Sequence, residues 1–522
     1  ITLGTVPAAE FVCYASQVSQ LADTRRRFAL TPAEFRLINP NTLTCPTFRS
    51  GRDAALTKKL YRTAPVLIRE AVVEGKGKDA KVKAPEVNPW GVSFSTMFHM
   101  SNDSHLFKDS SASDHLPLYE AKLIHQFDHR WATYTPNGDS RDMTLAEKQD
   151  PHSSAIPRYW VDQREVWLRL TNLPEGLRKA LRDRNDAATV LCATQLLFGH
   201  WLVSLHSVNA KLGLYTAWQA FVQQYPYAQK VAPVSLGLCG NNPPCFKPVD
   251  DNYLPAEGSF EVAMSNERAS TAWYAVDPHA LEQMLAFTAR HIDLHDPAMA
   301  LQSAQDVLDL AERWLEQSCP RWLMGWRDIT NATNERTVIA SLMPLAGVGN
   351  KAPLLQLPSS ISGRHAAAFL GNLSALAFDF VARQKIGGTT LNYFYLKQFP
   401  VLPPDRYTEA DLAFIVPRVL ELTFTAHDLS GWAQDLGYNG PPFAFDPDRR
   451  AVLRAELDAY YARLYSLTRD ELRYILDPAD VMGDDYPSET FRVLKNGEIR
   501  DFGEYRTQRL VLEAWDQMFP GE

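Results

Sequence analysis

Cysteine is scarce in this chain: six in 522 residues, at Cys13, Cys45, Cys192, Cys239, Cys245 and Cys319. None are spaced C-x-x-C. A zinc knuckle wants close pairs and a disulfide scaffold wants many more, so reduced thiols in a cytoplasmic protein are expected. Long apolar runs are also missing. No stretch approaches the roughly 18 residues that a membrane span needs, and no charged segment leads into an apolar one as a secretory leader would, so no membrane partner is expected. The first residue is Ile1 rather than Met, which reads as the start of a fragment. Two catalytic signatures are absent as well, the G-x-S-x-G nucleophile turn and the G-x-x-x-x-G-K-S/T phosphate loop. Internal repeats and low-complexity tracts do not occur.

What is present is length, apolar content and an uneven charge. At 522 residues and 45% hydrophobic, the chain is long enough for two to four domains. The net charge of −8 is concentrated at one end. From Leu402 to Glu522, 13 Lys and Arg face 23 Asp and Glu, a net of −10, which leaves +2 for residues 1–401. A nucleic-acid face is therefore compatible with the first 401 residues, and the acidic end reads as a scaffold or docking surface.

Local signals predict an α+β chain. Thr31-Pro32 starts a helix that Asn39-Pro40 ends, and a second helix runs from Asp53 to about Arg62. The lysine-rich "GKGKDAKVKAPEVNPW" reads as a surface loop. Phe94 to Phe107 reads as a strand with a turn at Asn102-Asp103, and Leu116 to Tyr134 is aromatic-rich and strand-like. From Val161 to about Pro320 apolar residues recur at three- and four-residue spacing, which predicts helices. "GLCGNNPPCFKPVDDNYLPAEGS" interrupts them as a loop. Arg321 to Leu357 is strand-like again, one helix covers Ala366 to Gln384, and Glu409 to Met518 is mainly helical. The expected division is 1–190 and 319–405 as two parts of a mixed α/β region, 191–318 as a helical insert, and 406–522 as a helical C-terminal domain.

Several constellations invite a catalytic reading. His125 and His129 in "HQFDH" have the i,i+4 spacing that pairs zinc ligands on a helix, but Gln126 stands where the glutamate should be and the surroundings read as strand. "VVEGK" (Glu74, Lys76) and "YEAK" (Glu120, Lys122, with Asp114 upstream) carry the E-x-K half of a metal-dependent nuclease. "GNNPPCF" is similar to the Asn-Pro-Pro-aromatic motif of amino-methyltransferases, with Cys245 in the place of the ring and no upstream glycine-rich loop, so a plain turn is the preferred reading. No catalytic residue and no metal site are assigned.

Binding signals are denser. "WRDITNATNERTV" packs Arg327, Asp328, Thr330, Asn331, Thr333, Asn334, Arg336 and Thr337 into one span, residue types suited to base edges and phosphates. A polar turn with Asx caps is its competing reading. "RQKIGGTTLNYFYLKQFPVLPP" places Arg383, Gln384 and Lys385 ahead of Gly387-Gly388-Thr389-Thr390, where glycines would let backbone N–H groups approach a phosphate. A helix C-cap with a hairpin turn competes equally there.

Taken together, "LINPNTLTCPTFRSGRDAALTKKLYRTAPVLI", "NPWGVSFSTMFHMSNDSHLF", "LPLYEAKLIHQFDHRWATY", "RDITNATNERTVIASLMP", "FDFVARQKIGGTTLNYFYLKQFPVLPP" and the segment from Leu467 to Trp515 resemble the C-terminal half of large adenine-specific DNA methyltransferases. These are the type IIG-like enzymes of restriction-modification and DISARM-type phage-defence systems. The blocks cover most of residues 1–190 and 320–522; the roughly 130 residues between carry no likeness. The resemblance implies a target recognition region for double-stranded DNA. It places S-adenosylmethionine (SAM) and catalysis in a partner domain or subunit rather than in this chain, with other defence-system proteins as further partners. By resemblance the DNA-contacting residues are Lys122, His125, Gln126, Arg327, Asn331, Thr333, Asn334, Arg336, Gln384, Lys385, Gly388 and Thr389, with Ser101 and Asn102 next. Arg383 to Thr390 would face the duplex and Leu391 to Phe399 would pack back. A self-contained Mg-dependent nuclease and a protein–protein assembly subunit are the alternatives.

Overall fold

Thr31 accepts a hydrogen bond from the Glu34 N–H while Glu34 reaches back to the Thr31 N–H at 2.9 Å, a reciprocal cap that fixes helix Pro32–Ile38. Helix Gly51–Thr63 follows, capped by Ser50, so both helices lie where the sequence predicts them. They belong to a computed structural model that describes residues 6–75, 81–171 and 319–521, short stretches at 246–249, 261–265 and 271–276, and the single positions 223 and 316. The fold is α+β: helices alternate with several small antiparallel and mixed sheets.

The chain divides into two units, residues 1–161 with 321–522, and residues 162–320. In the second, helix Gln163–Leu170 is followed by an antiparallel three-stranded sheet in the order Phe246–Val249, Thr271–Val276, Glu261–Ser265. The insert expected to be helical thus contains a sheet, and Phe246–Val249 falls inside the segment expected to be a loop. A short run rich in aromatic and β-branched residues, "TAWYAV", is the signal that the helical reading passed over. The remaining helices expected between 172 and 318, and "GNNPPC", lie outside the described residues.

The first unit holds one continuous core that runs from Phe28 to Phe519. The boundary expected at 405/406 therefore separates no compact unit: the C-terminal helices Glu409–Thr423, Pro447–Leu464 and Arg469–Leu476 pack directly on helices Gly363–Ser374 and Leu376–Lys385. Those two are buried on nearly every face, and the charges that the second carries into the interior, Asp379 and Arg383, are paired with each other. No single described helix is long and apolar enough to cross a membrane.

The sequence predicts one helix over 366–384, yet the chain bends by 54° at Ala375. No proline or glycine stands there. Asp458, from helix Pro447–Leu464, accepts the Leu376 N–H at 2.7 Å. A carboxylate at a helix N-terminus satisfies an orphan donor and complements the dipole, so a residue 82 positions away starts the second helix.

Against this helical core lies a four-stranded sheet in the order Ala340–Pro344, Trp322–Trp326, Leu354–Gln356, Ser93–Ser95. Strands Trp322–Trp326 and Ala340–Pro344 form a hairpin with Trp326 opposite Ala340. The polar span singled out in the sequence is its long connection.

Candidate nucleic-acid interface

The 327–337 connection is shaped from below by helix Leu376–Lys385. Asp379 accepts the N–H groups of Thr337 (3.0 Å) and Val338 (2.7 Å). Arg383 donates to the carbonyls of Ala332 (2.9 Å), Asn334 (2.7 Å) and Glu335 (2.8 Å). Its guanidinium also lies 4.4 Å from the Phe491 ring centroid. Arg383 is buried and does not face outward as expected. It spends its donors on the loop backbone and so presents the loop's own side chains.

From the side, the same connection is bonded to the glycine turn. Thr330 N–H donates to Thr389 O at 3.0 Å, Leu391 N–H donates to Asp328 O at 2.7 Å, and Ile329 bridges to Thr390. Two segments chosen separately in the sequence therefore form one rim. On it Thr333, Asn334, Gly387, Gly388 and Thr389 are exposed and Asn331 is half-buried. The Asn331 side-chain oxygen accepts the Thr333 N–H at 2.9 Å, which is the Asx turn of the competing local reading. Gly387 and Gly388 have no positive φ, and a Cβ on either would meet nothing within 4 Å. The helix stops at Ile386 in extended conformation, so no left-handed cap explains the glycine pair.

The other candidates are placed elsewhere. Gln126 is buried and donates to Val338 O at 2.6 Å. Arg336 is buried beside Asp458 at 3.5 Å, and Gln384 is buried. Lys385 donates to Ile38 O (2.8 Å), the Tyr61 hydroxyl (2.6 Å) and Gln398 O (2.7 Å), while burial pushes its ammonium well below its usual range. These four side chains hold the interior together and do not face outward toward DNA, because their donors are enclosed by protein. Arg327 is half-buried, its Nε on Ile124 O at 2.8 Å. His125 stacks on Trp131 with centroids 4.3 Å apart, and burial, then the charges of Arg327 and Arg454, hold it neutral with a pKa of about 3. Its i,i+4 neighbour His129 is bonded to Asp428 at 2.8 Å, so the two imidazoles serve different partners. Lys122 is exposed, its ammonium 4.5 Å from the Tyr134 ring centroid, and Glu120 accepts the Tyr134 hydroxyl at 2.5 Å. Ser101 and Asn102 are exposed, and the Ser101 hydroxyl lies 3.0 Å from His99 Nδ1. Lys76 lies outside the described residues.

Beside the rim the structure opens a groove of about 690 Å³, which sequence reasoning missed. Its polar lining comes from Glu86, Asn88, Ser93, Ser95, Thr96, His99, Asn350, Asn392 and the rim's own Thr390. Its two lysines are matched by carboxylates: Lys351 to Asp328 at 2.9 Å and Lys397 to Glu70 at 2.7 Å. The groove is thus a field of amides and hydroxyls rather than a cationic channel. Tyr393, packed on Phe94 with centroids 6.3 Å apart, is 44% exposed at its edge, Phe394 56% and Ile329 58%. Of the stretch expected to pack back, Leu391, Leu396 and Phe399 do so, but these two aromatics face solvent.

No family model, no curated protein and no solved structure matches the chain.

Proposed function

We propose that this chain is the sequence-reading portion of an adenine-specific, SAM-dependent DNA methyltransferase of a restriction-modification or phage-defence system, with catalysis in a partner domain or subunit. The observation that carries the reading is the hydrogen-bonded rim. It sets Asn331, Thr333, Asn334 and Thr389 side by side, next to the groove lined by Asn350, Asn392 and Lys351. Amides and hydroxyls at such density suit the donor and acceptor pattern of base edges, and glycines at the tip let the backbone come close to a phosphate. The resemblance supplies the methyltransferase context and the defence system. On this reading the SAM site and the methyl-transfer step belong to the partner, and this chain holds the duplex in register for it.

Anisotropy titrations with duplex DNA across a salt series test this. Binding should weaken as salt rises, and Lys351→Gln should reduce the log–log salt slope by about one where Lys351 meets a phosphate. Asn334→Ala combined with Thr389→Ala should flatten discrimination between duplex sequences. Duplex binding that ignores both salt and these substitutions would sink the proposal. The exposure of Ile329, Tyr393 and Phe394 on the same rim favours a second reading, in which this face docks on another protein of the defence complex. Tyr393→Ser with Phe394→Ser would then abolish complex formation and leave duplex binding intact.

A further inference from the structure

Away from the groove, a separate cavity of about 160 Å³ lies among the hairpin connection and helices Pro447–Leu464, Arg492–Phe502 and Arg506–Met518. Three guanidinium groups, those of Arg336, Arg454 and Arg506, line its wall. Arg336 is 7% exposed, and its Nη1 is buried with no hydrogen-bond partner. Arg454 makes no hydrogen bond or ion pair with any described residue, and burial, followed by the neighbouring Arg336 charge, lowers its pKa. Arg506 completes the set; among the described residues its guanidinium bonds only to Asp448, at 2.9 Å, a carboxylate that is 83% exposed. Such a surface pair contributes little and leaves the rest of the guanidinium available.

Three carboxylates also border the cavity, and two of them are already engaged. Both oxygens of Glu498 accept from Thr507, at 2.7 Å from its N–H and 2.6 Å from its hydroxyl. Asp458 caps Leu376 at 2.7 Å and reaches Arg336 only at 3.5 Å. The third, Glu335, is exposed. His125 closes one side as a neutral imidazole. Two of the three acceptors are therefore spent where guanidinium donors are not, and a buried donor without a partner is destabilising until something accepts from it. A second cavity between Arg336 and Ser374, of about 10 Å³, is only water-sized and takes no larger acceptor.

We propose that the 160 Å³ cavity binds a phosphoryl oxyanion, either as free inorganic phosphate or as the terminal phosphate of a nucleic acid, with Arg336 and Arg454 as the inner donors and Arg506 at the mouth. The volume sets the class. It is close to the ~150 Å³ that holds one benzene molecule, enough for a tetrahedral oxyanion and too small for a nucleoside. Planar guanidinium forks are the side chains best matched to such oxygens. The proposal stands on the cavity and does not depend on how the groove is read.

Titration calorimetry of the intact chain with sodium phosphate, against sodium chloride at equal ionic strength, tests it. Saturable one-site binding is expected, weakened tenfold or more by Arg454→Met and by Arg506→Met. Arg449→Met, on the same helix but paired to Glu421 outside the cavity, should bind as the parent does. Arg454 holds no other described residue in place, so its variant should keep the parent melting temperature in chloride, and Arg506→Met covers the case in which it does not. Absence of saturable heat, or binding unchanged in both variants, overturns the proposal. A 5′-phosphorylated oligonucleotide separates the sources: displacement by phosphate supports a nucleic-acid end, and indifference alongside saturable phosphate binding supports the free anion.

Discussion

Arg383 and Asp379, one turn apart on helix Leu376–Lys385, are joined by a 3.0 Å Nε–Oδ2 bond. Between them they hold the second half of the 327–337 connection, from Ala332 to the start of the next strand. The aspartate takes the N–H groups at 337 and 338, and the arginine takes the carbonyls at 332, 334 and 335. The pair is buried, with side-chain exposures of 5% and 0%. It turns a helix of the core into the template for the rim.

Removing one member should therefore cost stability and loop order together. Arg383→Met leaves the Asp379 charge buried without its cation, which is expected to cost about 3 kcal/mol or more. Urea denaturation measures this, and limited proteolysis should cut sooner within 331–335. A loss below about 1 kcal/mol with unchanged cleavage would show that the clamp is dispensable.

The glycine pair permits an unusually clean test. Neither residue needs a left-handed φ and neither has a neighbour within 4 Å of a built Cβ, so Gly387→Ala and Gly388→Ala should leave stability equal or raise it by up to about 1 kcal/mol. If the tip meets a phosphate through its backbone, the same variants should weaken duplex affinity several-fold. Full affinity in both would remove the close-approach role from this turn.

His125 should register in the acid limb of the stability curve. Its folded pKa of about 3 lies below the unfolded value of about 6.5. As pH falls through 6.5, the unfolded chain gains a proton that the folded chain refuses, so stability falls with pH by up to about 1.4 kcal/mol per unit. His125→Phe should flatten the curve between about pH 6.5 and 5, above the range of most carboxylates. An unchanged slope in chemical denaturation across that window would contradict the assignment.

Gly325 sits in the strand between two neighbours, where a Cβ would lie 2.7 Å from Pro353 O and 3.0 Å from Met343 Cε. Gly325→Ala must push the Leu354–Gln356 strand away, with an expected cost of about 1–3 kcal/mol. Because Pro353 lines the groove, duplex affinity should fall with it if the groove reads DNA as proposed. A variant as stable as the parent would mean that the strands separate freely.

Much of the fold was legible because local chemistry decided it. Thr31-Pro32 with Glu34, the Gly51–Thr63 helix and the helical run after Glu409 are stated by caps and by period. The bend at Ala375 was not, because its cap is a carboxylate 82 residues downstream. The sheet in 246–276 was obscured by turn residues and by apolar spacing that fits either period.

The candidate site divides on the same line. Residue type and density alone marked the 327–337 span and the glycine turn, since amides, hydroxyls and glycines cluster there whatever the fold. Composition could not say which polar groups would keep their donors. Tertiary packing spent Arg383, Lys385 and Gln126 on the interior, exposed Tyr393 and Phe394, and assembled a groove from residues as distant as Asn88 and Lys397. A buried cation must find its oxygens in three dimensions, and the chain's linear order does not record which ones it finds.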